Sequence, residues 1–225
     1  MEFDYDIVYS DRKTIQITVE RDRSVVVRAP RSASAEQIDR AVQSKRFWIY
    51  GKLRHPQKYA PEWTSKTEFV SGASILYLGR HYPLEIVDEV FEGVRFDHRF
   101  YLSRRSQPQA AALFKVWFKE RARQKITPLV EEMAERLGVT YNRIMISDLR
   151  YQWGSCTPND NLNFNWRIIK APMSVVKYVV VHELAHLIEP NHTPRFWNIV
   201  HVQVPRYEKA RTWLRTYGHE LQDGP

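Results

Sequence analysis

An α+β fold is predicted by three features of this 225-residue sequence. Apolar and polar residues alternate with period two near the start. Short strand-like runs punctuated by Gly72, Gly79 and Gly93 fill residues 66–102. From residue 109 onward the apolar spacing is mostly helical, interrupted by one hairpin. The same shift in pattern divides the chain into a β-rich N-terminal subdomain with one helix, residues 1–104, and a second domain, residues 105–225.

The composition supports a packed core: 43% hydrophobic and 27% charged residues exclude wholesale disorder. A single cysteine, Cys156, rules out an internal disulfide framework and a Cys-only zinc knuckle, and fits a reducing compartment. No run approaches the ~20 apolar residues of a membrane span, and the acidic start lacks the apolar core of a secretory signal. The expectation is a soluble cytoplasmic protein.

Residues 14–20 set Ile15, Ile17 and Val19 against polar neighbours, as in a half-buried strand. Residues 24–28 (SVVVR) read as its hairpin partner across Arg21-Asp22-Arg23, and Pro30 ends them. A helix follows over 35–54. Ser34 and Gln37 form a capping-box pattern, Ile38, Val42, Phe47, Trp48, Ile49 and Leu53 supply the buried face, and His55-Pro56 stops it.

Residues 109–137 are helical, with Pro128 either kinking or splitting the run and Gly138 as C-cap. Residues 144–147 and 153–157 read as strands. A PNDN turn at 158–161 leads into 162–168, where Leu162, Phe164, Trp166 and Ile168 alternate. Pro172 then opens a helix over 173–188 that Pro190 ends. Thr193 and Pro194 begin a last helix, 194–217.

The chemistry concentrates at His182-Glu183-Leu184-Ala185-His186. Residues four apart share a helix face, so both imidazoles can meet one ion. Glu183, one step round the helix, reaches a water that the metal activates without occupying the metal itself. Random placement of this composition yields roughly 0.02 such matches. Catalytic zinc needs a third protein ligand and one open position. The candidates are His192, His201, Glu208 and Glu220. His192 is favoured, because Glu189-Pro190-Asn191 ends the helix and lets the chain return.

These residues carry a resemblance. The run from Val181 to Leu187, then Asn191-His192-Thr193 and Phe196-Trp197, with the upstream Trp153-Gly154-Ser155-Cys156 and the strand 163–166, resembles the YgjP-like metallopeptidase family, related to the SprT and WLM zinc peptidases. The likeness is close over about residues 105–217. It implies a zincin-like catalytic domain with a small sheet, zinc held by His182, His186 and His192, and Glu183 as the catalytic glutamate. Gln152 stands where the family leads one to expect a basic residue, and Arg150 is its nearest substitute.

Around the motif, Gly154 lets backbones approach, Trp153 serves either the core or a cleft wall, and Cys156 reads as a small buried residue rather than an inhibitory ligand. The strand 162–168 is either internal or an edge that pairs with an extended substrate. Tyr207 and Arg150 are alternative oxyanion stabilisers.

The net charge is +8, and residues 95–125 hold nine Lys/Arg against two acids. That stretch is either a solvated helix face or a surface for nucleic acid or another acidic partner, with Phe114, Trp117 and Phe118 forming an apolar stripe. Three function classes follow. The leading one is a zinc metalloendopeptidase acting on protein or peptide. The others are a DNA-associated accessory protein with a retained metal helix, and a zinc hydrolase of a non-peptide amide. An intact Glu183 favours the enzymes, since a structural zinc needs no carboxylate there.

Overall fold

The structure, a computed structural model, describes residues 5–19, 24–53, 68–149 and 152–222. The chain divides into two compact units, Met1–Trp63 and Thr64–Pro225. In the first, β1 (Asp6–Ser10), β2 (Gln16–Val19) and β3 (Val25–Pro30) form a sheet in the order β1-β3-β2, with β2 and β3 antiparallel as the alternation predicts. The predicted turn at 21–23 and the stop at 55–56 lie outside the described residues. Val19, Val25, Val27 and Ala29 bury one face of the sheet in a core shared with Ile38, Val42 and Ile49.

Where one helix was predicted there are two, α1 (Ala35–Ser44) and α2 (Arg46–Leu53). The expected capping box is present, with Ser34 Oγ accepting from the Gln37 N–H and the Gln37 side chain accepting from the Ser34 N–H. The break at Lys45 has a local cause. Ser44 Oγ donates to the Ala41 carbonyl at 2.8 Å, a back-bond that competes with the helix ladder. Trp48, expected on the buried face, is 44% exposed, and the side chains of Phe47 and Leu53 lie outside the described set.

Among its described residues the second unit holds two sheets and four α-helices. Strands β4 (Ser74–Tyr77), β5 (Arg80–Val87), β6 (Val94–Phe96) and β7 (Phe100–Ser103) are ordered β4-β5-β7-β6; residues 68–72, predicted with them, are not in a strand. Their inner face meets α3 (Ala110–Leu137), where Tyr77 and Phe100 lie edge-on to Trp117 at 5.0 and 4.9 Å. The sequence placed a boundary at 104/105 from pattern alone. Packing instead joins residues 74–103 to the helical half, because these aromatics from both sides share one core.

Pro128 neither splits nor ends α3, which runs unbroken for 28 residues to a left-handed Gly138 cap with φ 65°. Pro128 is exposed, so the carbonyl it leaves unbonded one turn back faces water. Buried Ile126, Val130 and Met133 hold the helix in place against a cost of about 3 kcal/mol.

The site is framed by a smaller sheet, β8 (Arg143–Ser147), β9 (Gly154–Cys156) and β10 (Asn161–Asn165), ordered β8-β10-β9. Strand β10 is therefore central, which answers the edge-or-internal question for that segment, and β9 is an edge. Beyond Asn165 the predicted strand turns into a 3-10 segment, Trp166–Lys170, whose Arg167 N–H bonds the Asn165 side chain. Helix α4 (Met173–Ala185) follows. Its Val175, Val176 and Tyr178–Val181 are all buried, as in a helix enclosed on every side. The predicted helix 194–217 is α5 (Pro194–Gln203) and α6 (Tyr207–Tyr217), interrupted at Pro205. Among the described residues no helix is long and apolar enough to cross a membrane.

Asp148, just after β8, accepts from Lys115 Nζ of α3 at 2.8 Å and from the Arg167 guanidinium. Partial burial pushes its pKa up, but the hydrogen bonds and charges of Lys115 and Arg167 outweigh this and pull it down to about 2. A depressed carboxylate pKa gives stability that is present above the unfolded value, 3.8, and lost as pH falls through about 2. Asp148→Asn should therefore lower Tm near neutrality, and the Tm gap to wild type should close as acid is added. A gap that stays constant down to about pH 2 would contradict the linkage.

Candidate metal centre

Helix α4 delivers His182 in its last turn and His186 as its C-cap. The chain winds on through turns, with the Leu187 N–H bonded to the Leu184 carbonyl and the Glu189 N–H to the Ala185 carbonyl. It then comes back: the Thr193 N–H bonds the Asn191 carbonyl at 2.7 Å, and Thr193 Oγ1 caps α5 by accepting from the Phe196 N–H. Between these two anchors His192 turns inward. His182 Nε2 and His192 Nε2 stand 3.0 Å apart, and one nitrogen from each of His182, His186 and His192 lies within 4.8 Å of the others. Among the described residues this is the one group of three or more His, Cys, Asp or Glu with metal-binding spacing.

The rings are held from below and from the side. Buried Phe196 lies 4.9, 4.6 and 4.7 Å from the centroids of His182, His186 and His192. Trp197 stacks on His192 at 5.5 Å and on Tyr207 at 5.2 Å, and Tyr207 continues the stack onto Tyr178 at 6.3 Å. The aromatic pair Phe196-Trp197 thus packs directly against the imidazoles.

The electrostatics suit a cation. Burial, then the charges of His186, His192 and Arg211, pushes the His182 pKa down to about 3, and burial, His186 and Arg211 also lower that of His192. The lowered pKa values favour the neutral, lone-pair-bearing form of His182 and His192, and imidazole nitrogen is a donor that zinc takes. Among the described residues His182 Nδ1 is buried without a hydrogen-bond partner.

Glu183, 6% exposed, lies one step round α4 from His182, with its side chain against Gly154 of β9. Burial pushes its carboxyl up to about 8 in the metal-free chain, and the Cys156 backbone N–H, donating to it, pulls the other way. A group titrating close to neutrality is suited to exchanging protons there.

The other candidates fall elsewhere. His201 is exposed and edge-on to Tyr207 at 6.3 Å, and Glu208 hydrogen-bonds to Tyr207, so neither joins the histidine group; nor does Glu220. Cys156 is half-buried, its Sγ donating weakly to the Thr157 carbonyl at 3.7 Å, and burial followed by the Glu183 and Asp160 charges raises its pKa. Trp153 packs against the main core, Gln152 lends its carbonyl to the Asn165 amide, and Arg150 lies outside the described residues. Arg211 escaped the sequence reading. Its guanidinium lies 5.0 Å from the Trp197 ring centre, but nothing in the spacing of α6 marks it among the cations of that helix.

The basic stretch is largely compensated. Arg95, Arg99, Arg104, Lys115 and Arg123 pair with Glu89, Glu85, Asp88, Asp148 and Glu120 at 2.6–3.0 Å, and Arg121 sits over Trp117. Phe114, Trp117 and Phe118 are core residues.

The family model described as YgjP-like, metallopeptidase domain, matches residues 13–217. Among solved structures, the crystal structure of the metallopeptidase zymogen of Pyrococcus abyssi abylysin is similar at 21% identity, covering 44% of this chain and 96% of that one, with a TM-score of 0.38. No curated protein matches.

Proposed function

The chain belongs to the YgjP-like metallopeptidase family, and on that premise we propose that it is a zinc-dependent metalloendopeptidase in which Glu183 moves the protons. The observation that carries this reading is the convergence of three imidazoles, His182, His186 and His192, with a buried carboxyl on the neighbouring residue of the same helix. Zinc bound there supplies Lewis-acid polarisation of a water and of the scissile carbonyl. Glu183 takes a proton from the attacking water on a carboxylate oxygen and returns it to the departing amine nitrogen. Phe196 and Trp197 hold the imidazoles in place, which preserves the geometry through the cycle.

Substrate would enter along β9. The Asn165 N–H bonds the Trp153 carbonyl and the Thr157 N–H bonds the Asn161 carbonyl, so residues 153, 155 and 157 face β10. Gly154 and Cys156 therefore direct their backbone groups to the open side, where the Cys156 N–H is taken by Glu183 and the Gly154 N–H and C=O and the Cys156 C=O can pair with an extended peptide.

The reading is tested with purified protein, elemental analysis and a broad peptide library. One zinc per chain is expected. A chelator should abolish internal cleavage and zinc should restore it. Because metal binding and folding are coupled, chelation should also lower Tm. A zinc-loaded chain that cleaves no peptide but hydrolyses other amides would move it to the non-peptide class. The DNA-associated reading gains no observation of its own, since five of the nine cations it drew on are already paired with carboxylates.

A further inference from the structure

We infer that Gly154 is a positioning residue for Glu183: the absence of a side chain at this point of β9 is what allows the catalytic carboxyl to stand where it does. The inference rests on the peptidase reading for its kinetic consequence but not for its geometry. A Cβ added at Gly154 would lie 2.6 Å from Glu183 Cγ, 2.7 Å from Oε1 and 2.9 Å from Cδ. Packing at such distances is excluded, so one group must move. Backbone conformation does not explain the glycine, because Gly154 is not among the residues with positive φ.

A second contact fixes the same carboxyl two residues along. The Cys156 N–H, on the open side of β9, donates to Glu183. Strand β9 is itself anchored, with Gly154 opposite Phe164 and Cys156 opposite Leu162 of the buried central strand. The carboxyl is thus held between an N–H and a bare Cα on one rigid strand, while α4 supplies only its stem. Between a paired backbone and the end of a side chain, the side chain yields. An added methyl should therefore displace Glu183 and leave His182 and His186 in place.

The experiment is Gly154→Ala, alone and combined with Glu183→Gln or Glu183→Ala, with Ser155→Ala as control because residue 155 faces the opposite side of the sheet. Gly154→Ala should keep its zinc and a KM within about threefold of wild type, and lose roughly 10²-fold in kcat, the scale of a misplaced catalytic group. Added to Glu183→Gln it should cost nothing further, and Ser155→Ala should match wild type. Stability gives a readout independent of activity. Gly154→Ala should lower Tm when Glu183 is present, and that drop should disappear in the Glu183→Ala background, where the space is empty. A folded, zinc-loaded Gly154→Ala with wild-type kcat overturns the inference, and so does an equal Tm cost in both backgrounds. If Gly154→Ala fails to fold, a folded Gly154→Ala/Glu183→Ala supports the steric account and an unfolded one overturns it. Should wild type itself prove inactive, the peptidase reading falls while the Tm comparison still decides the role of Gly154.

Discussion

Replacing His192 by alanine is expected to release the bound zinc while leaving the fold intact. His192 is exposed and sits in the loop between α4 and α5, so its ring contributes little to the core. The metal-free variant should therefore melt close to metal-free wild type. Binding is another matter. A structural zinc site is worth about 10–16 kcal/mol over four ligands, so one ligand is worth roughly 3–4 kcal/mol, or 10²–10³-fold in affinity. His182→Ala should lose zinc by the same argument and also lose stability, because the His182 ring packs against buried Phe196 and leaves a void when removed. Elemental analysis against buffered zinc, with melting curves of the metal-free proteins, reads both effects. Wild-type zinc affinity in His192→Ala would remove it from the ligand set. Glu208, the fallback in the sequence, is turned toward Tyr207 instead.

What could be read from the sequence was whatever short-range chemistry decides. The i, i+4 histidines, the Ser34–Gln37 box and the Thr193 cap each depend on a few adjacent residues, and each takes the form its pattern predicts. Features decided by distant partners were not legible. Pro128 is a helix breaker by its own chemistry, yet the packing of Ile126 and Val130 overrides it. Residues 74–103 look like a part of the β-rich half until Tyr77 and Phe100 are seen against Trp117. A run of cations looks unpaired because its carboxylates, Glu85, Asp88, Glu89 and Asp148, lie outside it or in another element. Gly154 shows the limit most clearly. The sequence suggests that backbones approach there, but it cannot say that the approaching group is a carboxyl 29 positions away. Pro205 is different: a proline within a helical run is by itself a legible signal for the α5–α6 break.

The largest effect on turnover is expected at Glu183 itself. Glu183→Gln keeps the length and shape of the side chain, so it fits beneath Gly154 as the glutamate does, and its amide oxygen can still accept from the Cys156 N–H. The variant should fold at least as stably as wild type, because an amide has no charge to bury whereas burial holds the Glu183 carboxyl far above its ordinary pKa. Zinc content should not change, since Glu183 is not among the grouped ligand atoms and its side chain lies against Gly154 of β9. What the amide cannot do is accept a proton from water and carry it to the leaving nitrogen. General acid–base assistance is worth about 10²–10⁴-fold, and kcat should fall by that order or more. The measurement is steady-state peptide hydrolysis by matched zinc-loaded proteins. A kcat within about twofold of wild type would exclude Glu183 as the base on that scale. Loss of zinc from a folded Glu183→Gln would instead make the carboxylate a ligand or the support of one, and the three-histidine site would have to be redrawn around it.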